Sequence, residues 1–267
     1  MSSTVSVQLA DHVALVTLER PTMPPVFFTE IEEHFKKLAQ EPTLRAVLVR
    51  AAGKSFSYGL DLPAAFQEMG QHFSGGGTAS SRLALLDHIR RLQGAFNAVA
   101  ACPVPVIAAV HGHCIGGGLD LIAACDLRVC SSDAKFSLRE TKIAIVADLG
   151  SLQRLPAIIG KGPTRELAFT GKDISAARAK EIGLVNEVYE GHEALLAGAK
   201  AMAAEIAANP PLTVRGVKEV LNYGEGRSVE EGLGYVAAWN SAFLATEDLG
   251  EAFAAFLEKR KPVFKGR

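Results

Sequence analysis

The chain has 267 residues, of which 48% are hydrophobic and 21% charged, enough apolar material for a substantial core in one large domain or one domain with a small appendage. Its formal net charge of −1 offers no global attraction to a polyanion, which argues against nucleic acid as a partner. No uninterrupted apolar run approaches the ~20 residues of a membrane helix, and the opening MSSTVSVQLADHVALV lacks the basic-then-apolar order of a secretory leader.

Residues 13–18, VALVTL, are a β-branched run that predicts a strand. Residues 27–40 place Phe28, Ile31, Phe35 and Leu38 on one helical face. RAVLVR at 45–50 predicts a second buried strand, followed by the glycine-punctuated AAGKSFSYGLDL. Residues 67–81, QEMGQHFSGGGTASS, are rich in Gly and Ser and read as a mobile loop, a candidate lid. Helical spacing resumes over 82–100 with Leu83, Leu86, Ile89, Leu92 and Phe96, and Cys102-Pro-Val-Pro stops it. Residues 106–110 predict a strand, HGHCIGGG turns into the helical LDLIAAC, and 126–130 predict another strand. Strands alternating with helices argue for an α/β fold. From about residue 190 the composition becomes Ala/Leu/Glu/Lys-rich, and Pro210-Pro211 and Gly224-Glu-Gly226 divide it into three or four helices.

Several familiar signals fail. The four cysteines, Cys102, Cys114, Cys125 and Cys130, match neither paired zinc spacing nor a disulfide scaffold, and read as reduced thiols of a cytoplasmic protein. Gly53-Lys54-Ser55 imitates the end of a P-loop, but Leu48 stands where that motif needs its first glycine. His111, His113 and Cys114 would form a metal site only with a distant fourth ligand, so no metal is expected.

The chemistry concentrates elsewhere. In Gly112-His-Cys-Ile-Gly116-Gly117-Gly118-Leu119-Asp120 a strand ends, three glycines follow and a helix begins. Glycines let the backbone approach a ligand closely, and the N–H groups at a helix start lack intrahelical partners. The triplet is therefore a donor site for an oxyanion, or a tight turn with close helix packing. Asp120 is either a first-turn acid or an acid–base group. Ser57-Tyr58-Gly59-Leu60-Asp61-Leu62 is a second glycine turn after a strand, able to supply another donor or to be an ordinary loop.

Taken together, AAGKSFSYGLDL, PVPVIAAVHGHCIGGGLDLIAACDLRVCSSDAKFSL, LGSLQRLPAIIG, AKEIGLVNEV and FLEKRKP, in this order and spacing, resemble the enoyl-CoA hydratase/isomerase (crotonase) superfamily over nearly the whole chain. The resemblance implies an α/β spiral of ββα repeats in a core domain, residues 1–200, followed by a helical oligomerisation region, residues 201–267. It implies an acyl-CoA thioester substrate and a homotrimer or a dimer of trimers. It assigns the oxyanion hole to the backbone N–H groups of Leu60 and Gly117, with Ser57, Tyr58, Gly59, Asp61 and Gly116 around the bound substrate. Removing a thioester α-proton puts negative charge on the carbonyl oxygen, which two fixed donors stabilise.

Hydratases of the family carry two glutamates, at the positions of Asp120 and Glu140 here. Eight residues after Glu140 stands Asp148, where hydratases have glycine. Aspartate, glutamate and aspartate at these positions match the subgroup that converts 3,5-dienoyl-CoA to 2,4-dienoyl-CoA. By that resemblance Glu140 removes the C2 proton, Asp148 protonates C6 and Asp120 tunes Glu140. No metal, nucleotide or redox cofactor is implied, since coenzyme A is part of the substrate. The alternatives are a 2-enoyl-CoA hydratase, a Δ3-Δ2 enoyl-CoA isomerase or a catalytically idle acyl-CoA binder. Asp148 also precedes an expected helix and could be its N-cap. Pro63 stands where many relatives have a lysine near the adenine, and Lys259, Arg260 and Lys261 are phosphate-binding candidates or a solvated helix end.

Overall fold

The computed structural model describes residues 3–74 and 77–267. β1 (Val5–Ala10) and β2 (Val13–Leu18) form an antiparallel hairpin whose turn, Asp11 and His12, has positive φ at both residues. Then follow α1 (Pro25–Ala39), β3 (Ala46–Ala51), α2 (Leu62–Ser74), α3 (Ala79–Ala100), β4 (Val106–Val110), β5 (His113–Ile115), α4 (Gly117–Ala123), β6 (Leu127–Ser131) and β7 (Lys135–Ser137). A 3₁₀ turn (Glu140–Ile143) leads to α5 (Ser151–Ile159), α6 (Lys161–Thr170), β8 (Ile174–Ser175), α7 (Ala176–Glu181) and β9 (Glu187–Tyr189). Four helices close the chain: α8 (Gly191–Ala207), α9 (Pro211–Gly224), α10 (Val229–Phe243) and α11 (Glu247–Glu258).

The strands form two sheets. The larger has the order β1-β2-β3-β4-β6-β9, parallel from β2 onward, and the smaller has the order β5-β7-β8. A bridge from Ser57 to Cys114 adds the segment after β3 to the smaller sheet. Each coil of the chain thus visits the large sheet, the small sheet and a helix: β3, Ser57 and α2–α3, then β4, β5 and α4, then β6, β7 and α5. This is a crotonase-type spiral of ββα repeats.

Two-residue periodicity explains why β3 and β4 read as continuous apolar runs. Val47, Val49, Val106, Ala108 and Val110 face the main core with Phe35, Phe56 and Phe96. Ala46, Leu48, Ile107 and Ala109 face the other way, onto Leu195, Ala199 and Ala203 of α8. Small residues on α8 let it lie close to the sheet. The division drawn at 200/201 falls inside α8, which packs as part of the sheet layers. Beyond it, α9 to α11 bury few side chains, and α10 none.

Two expectations need correction. Most of 67–81 is helix, with α2 running to Ser74 through Gly70 and α3 starting at Ala79. Gly75 and Gly76 lie outside the described residues. The loop reading failed because a Gly/Ser count cannot separate a short break from the helix ends beside it; Thr78 caps α3 by accepting from the Ser81 amide. On α3, Ile89, Leu92 and Phe96 do face inward, but Leu83 and Leu86 are exposed. The fully buried residues of α3 begin only at Leu92, so the apolar spacing of its first turns was not matched by burial.

Candidate active site

The two glycine turns meet. Gly59 adopts φ +83°, and a Cβ there would stand 2.8 Å from the Ile115 carbonyl oxygen and 3.2 Å from the Gly117 nitrogen. Only glycine allows both the torsion and the approach. Ser57 is fully buried and fixes the first turn: its N–H donates to His113, its carbonyl accepts from Ile115, and its Oγ accepts from the Gly59 N–H at 3.0 Å. Gly118 packs on Ser57, with a hypothetical Cβ 2.9 Å from that of the serine. Most neighbouring amides are committed: Tyr58 donates to Pro21, Asp61 to Met23 and Gly116 to Ser137. The N–H groups of Leu60 and Gly117 make no hydrogen bond among the described residues. Both line one cavity of about 490 Å³.

Asp120, Glu140 and Asp148 line the same cavity. Asp120 projects from α4 and is 1% exposed, and its Oδ1 accepts from the Ser151 amide at 2.6 Å. Burial raises its pKa to about 6, opposed by hydrogen bonding from Ser151 and assisted by the Asp148 charge. Glu140 opens the 3₁₀ turn after β7. Pairing of β5 with β7 brings it beside the triplet, where its Oε1 lies 2.8 Å from the place of a Gly116 Cβ. Its buried Oε2 has no hydrogen-bond partner among the described residues. Burial raises Glu140 to about 7, followed by repulsion from Asp120 and, more weakly, from Asp148. Burial also raises Asp148, opposed first by a hydrogen bond from its own amide and then by His88.

The capping expectation for Asp148 is overturned. Gly150, with φ +124°, is the N-cap of α5, and the Ser151 amide is satisfied from across the chain by Asp120. The Asp148 carboxyl accepts no hydrogen bond from another residue among those described; Gln93 Nε2 instead donates to its backbone carbonyl at 2.7 Å.

Tyr58, Gly59 and Gly116 also line the cavity, while Ser57 and Asp61, expected beside the substrate, do not. Asp61 caps α2: its carboxylate accepts from the Ala64 amide and from the Thr22 hydroxyl, both at 3.2 Å. A serine or aspartate next to a glycine turn serves backbone donors as readily as a ligand, and here it serves the backbone. His111 and His113 part company: His111 Nε2 donates to the Gly53 carbonyl and its ring packs on His192 at 4.2 Å, whereas His113 lies by Tyr58 at 5.3 Å. Among the described residues no group of three or more His, Cys, Asp or Glu is placed to hold a metal, and no helix is long and apolar enough to cross a membrane. All four thiols are buried and free.

Sequence reading missed several contributors. Ser151 holds Asp120, Gln93 holds the Asp148 backbone, and Leu85, His88, Ile143 and Val146 line the cavity. The three-and-four spacing of Leu85, His88, Ile89 and Leu92 is the signal that was available for α3. Arg260, a phosphate candidate, is paired with Glu251 and Glu258.

Two unpaired backbone donors and three proton-binding carboxyls around one largely apolar cavity define a site for acid–base chemistry through an oxyanion. The family profile described as Enoyl-CoA hydratase/isomerase matches residues 8–267, and the chain belongs to that family. It is 43% identical to the mitochondrial Delta(3,5)-Delta(2,4)-dienoyl-CoA isomerase of Dictyostelium discoideum, over 95% of this chain and 87% of that protein. It is 45% identical to the peroxisomal Delta(3,5)-Delta(2,4)-dienoyl-CoA isomerase of Arabidopsis thaliana, over 89% of this chain and 86% of that one. The crystal structure of an enoyl-CoA hydratase from Bacillus anthracis superposes with a TM-score of 0.89 at 32% identity, covering 99% of this chain and all of the other.

Proposed function

We propose that this protein is an acyl-CoA double-bond isomerase that converts 3,5-dienoyl-CoA to 2,4-dienoyl-CoA. The observation that carries the reading is Asp148: a carboxyl on the cavity wall, raised in pKa, with no capping duty. Hydration needs the pair formed by Asp120 and Glu140; the third acid has a use when a second, distant carbon must be protonated.

The thioester carbonyl is held by the N–H groups of Leu60 and Gly117, each such donor being worth about 2.7–4 kcal/mol in the transition state. Glu140 removes a proton from C2. Its pKa near 7 makes it a stronger base than an ordinary carboxylate while leaving much of it ionised near neutrality. Charge spreads along the diene, and Asp148, protonated, delivers a proton to C6. Asp120 stands closest in effect to Glu140, whose pKa it raises more than Asp148 does. The steps move protons and π electrons only, so the reaction calls on no metal, nucleotide or redox group, and coenzyme A arrives with the substrate. The apolar wall of Leu85, Ile89, Leu92, Ile143 and Val146 suits an acyl chain.

Assembly into a homotrimer or a dimer of trimers is supported by the apolar residues that α9 to α11 leave exposed, among them Leu221, Leu233, Phe253, Phe256 and Leu257. The two relatives above are a mitochondrial and a peroxisomal protein; buried, unpaired thiols here are in keeping with a reducing compartment such as the cytoplasm. The deciding assay follows absorbance of purified protein with a 3,5-dienoyl-CoA, beside hydration of a 2-enoyl-CoA. Growth of the conjugated dienoyl thioester with little hydration supports the isomerase. Rapid hydration without diene conversion replaces it with a hydratase.

A further inference from the structure

Residues 144–150, which carry Asp148 past the cavity, run between two residues of positive φ, Ala144 at +59° and Gly150 at +124°. The stretch is neither helix nor strand. Val146, Ala147, Asp148 and Leu149 make no backbone–backbone hydrogen bond among the described residues. Ala147 and Leu149 are buried in the core and seat the segment, but apolar packing is non-directional and does not by itself fix where the carboxyl between them points. A proton donor has to stand within about 2.6–3.2 Å of the atom it serves, so its direction matters.

Two side chains supply the missing bonds. Gln93 Nε2, from α3, donates to the Asp148 carbonyl at 2.7 Å. Arg154, from α5, donates through Nη1 to the Leu149 carbonyl at 3.4 Å and through Nη2 to Asn97 Oδ1 at 2.7 Å. Gln93 and Asn97 are four residues apart, on one face of α3, so this helix reaches two successive carbonyls, one directly and one through the guanidinium. Gly150 makes room for the arrangement, since a Cβ there would collide with Arg154 Nη1. Each peptide unit is planar, so holding two successive carbonyls orients two successive planes and with them the Cα–Cβ bond of Asp148. None of Gln93, Asn97 and Arg154 is among the residues that line the cavity.

We propose that Gln93 and Arg154 are positioning residues that aim the Asp148 carboxyl at C6 of the bound dienoyl chain. The step they serve is the second proton transfer. The Asp148 O–H bond breaks and a C6–H bond forms from the C5=C6 π pair. The remaining double bonds shift to C2=C3 and C4=C5, and the charge leaves the thioester oxygen. Gln93 and Arg154 exchange no proton in this step; they act through the Asp148 backbone. Glu140 is mounted separately. Its 3₁₀ turn is closed by Ile145 N–H donating to the Glu140 carbonyl, and it is tied to α6 by Thr141 Oγ1 donating to the Ala168 carbonyl at 2.5 Å. Removal of the C2 proton therefore does not depend on the bonds that hold Asp148, and loosening those bonds separates the two proton transfers.

The inference rests on the isomerase reading, and one experiment separates the two. In deuterated water, C2 exchange in recovered 3,5-dienoyl-CoA and conversion to the 2,4-diene are followed together for the wild type, Gln93→Met and Asn97→Ala. Gln93→Met keeps the length of the side chain and loses the donor. Asn97→Ala, at an exposed position, frees the guanidinium without touching the core. Arg154 is left in place because its charge also bears on Asp120. Gln93→Met is expected to lose about tenfold to a hundredfold in kcat with KM unchanged, while C2 exchange continues, so the ratio of exchange to conversion rises by the same factor. Asn97→Ala shifts the ratio in the same direction by less. A merely structural role would depress exchange and conversion together. An unchanged ratio in a folded Gln93→Met, or in Asn97→Ala where Gln93→Met does not fold, overturns the positioning role while the isomerase stands. An effect confined to Gln93→Met removes Arg154 from that role. A wild type that does not convert the diene removes both readings.

Discussion

The cavity end of the spiral and the C-terminal helices depart from ordinary burial in opposite directions. Around the cavity, Asp120 is buried and Glu140 half-buried, with carboxyls that desolvation pushes up to about 6 and about 7. On α10 and α11, Leu233, Phe253, Phe256 and Leu257 lie in the open, with Phe256 81% exposed. The first region keeps polar groups where a hydrophobic core would be more stable. The second keeps apolar groups where a monomer would be more soluble. Under the function proposed above, each has a use: the carboxyls would manage charge on a bound thioester, and the exposed apolar face would meet a second copy of the chain.

That contrast can be broken by substitution. The largest effect is expected at the acids. Glu140→Gln removes the base with little change of shape, so diene turnover should fall by about 10²–10⁴-fold. Asp148→Asn should lose as much, while acyl-CoA affinity, measured by calorimetry, stays near wild type. An Asp148→Asn enzyme with normal turnover would return Asp148 to the scaffold.

Next comes the turn that holds the donors. Gly59→Ala places a Cβ 2.8 Å from the Ile115 carbonyl at φ +83°, strain of about 1–3 kcal/mol. Thermal unfolding should register that loss, and kcat/KM should fall with it as Leu60 N–H and Gly117 N–H are pushed apart. A variant that is destabilised but fully active would separate this turn from the oxyanion.

A comparable or smaller effect, with the opposite sign, is expected when the buried charge is removed. Glu140 binds its proton more tightly when folded, at about 7 against 4.5 unfolded. The folded state is therefore favoured below the unfolded value, and stability declines as pH rises through that window, levelling above it. Glu140→Gln should stabilise the protein at pH 8 by on the order of 1–3 kcal/mol, and the gain should vanish below about pH 4.5. A stability difference that does not change with pH would contradict the burial of an ionised group.

At the other region the expected change in monomer stability is the smallest, within about 0.5 kcal/mol for an exposed site. Phe256→Asp should leave the far-UV spectrum intact and reduce the assembled mass in sedimentation. Unaltered assembly would mean that this face of α11 is not where copies meet.

The sequence carried more of the site than of its frame. The three acids and the two glycine turns lie in strand–turn–helix segments, and there the residue type is dictated locally by torsion and close approach. Asp120, Glu140, Asp148, Leu60, Gly59, Gly116 and Gly117 all line one cavity. Ser57 and Asp61 sit in the same motif but hold amides, a difference that depends on which way a side chain turns. β1 escaped notice because its hairpin turn, Asp11-His12, is not one of the usual glycine-bearing pairs. β7 and β8 are three and two residues long; β7 exists through pairing with β5 and β8 through pairing with β7, which no local pattern announces. The Asp120–Ser151 contact joins residues 31 apart and had no signature either. His88 stood within a helical stripe of apolar residues, and its departure from that stripe was the visible clue.

The division of labour between Glu140 and Asp148 is tested most directly by incubating a 3,5-dienoyl-CoA with the enzyme in deuterated water and locating the label by NMR in the product and in the recovered substrate. The wild type should place deuterium at C6 and exchange it at C2; Asp148→Asn should keep the C2 exchange and lose the C6 label, and Glu140→Gln should lose the C2 exchange. Deuterium at C6 in Asp148→Asn, or C2 exchange that persists in Glu140→Gln, would contradict the assignment of acid and base.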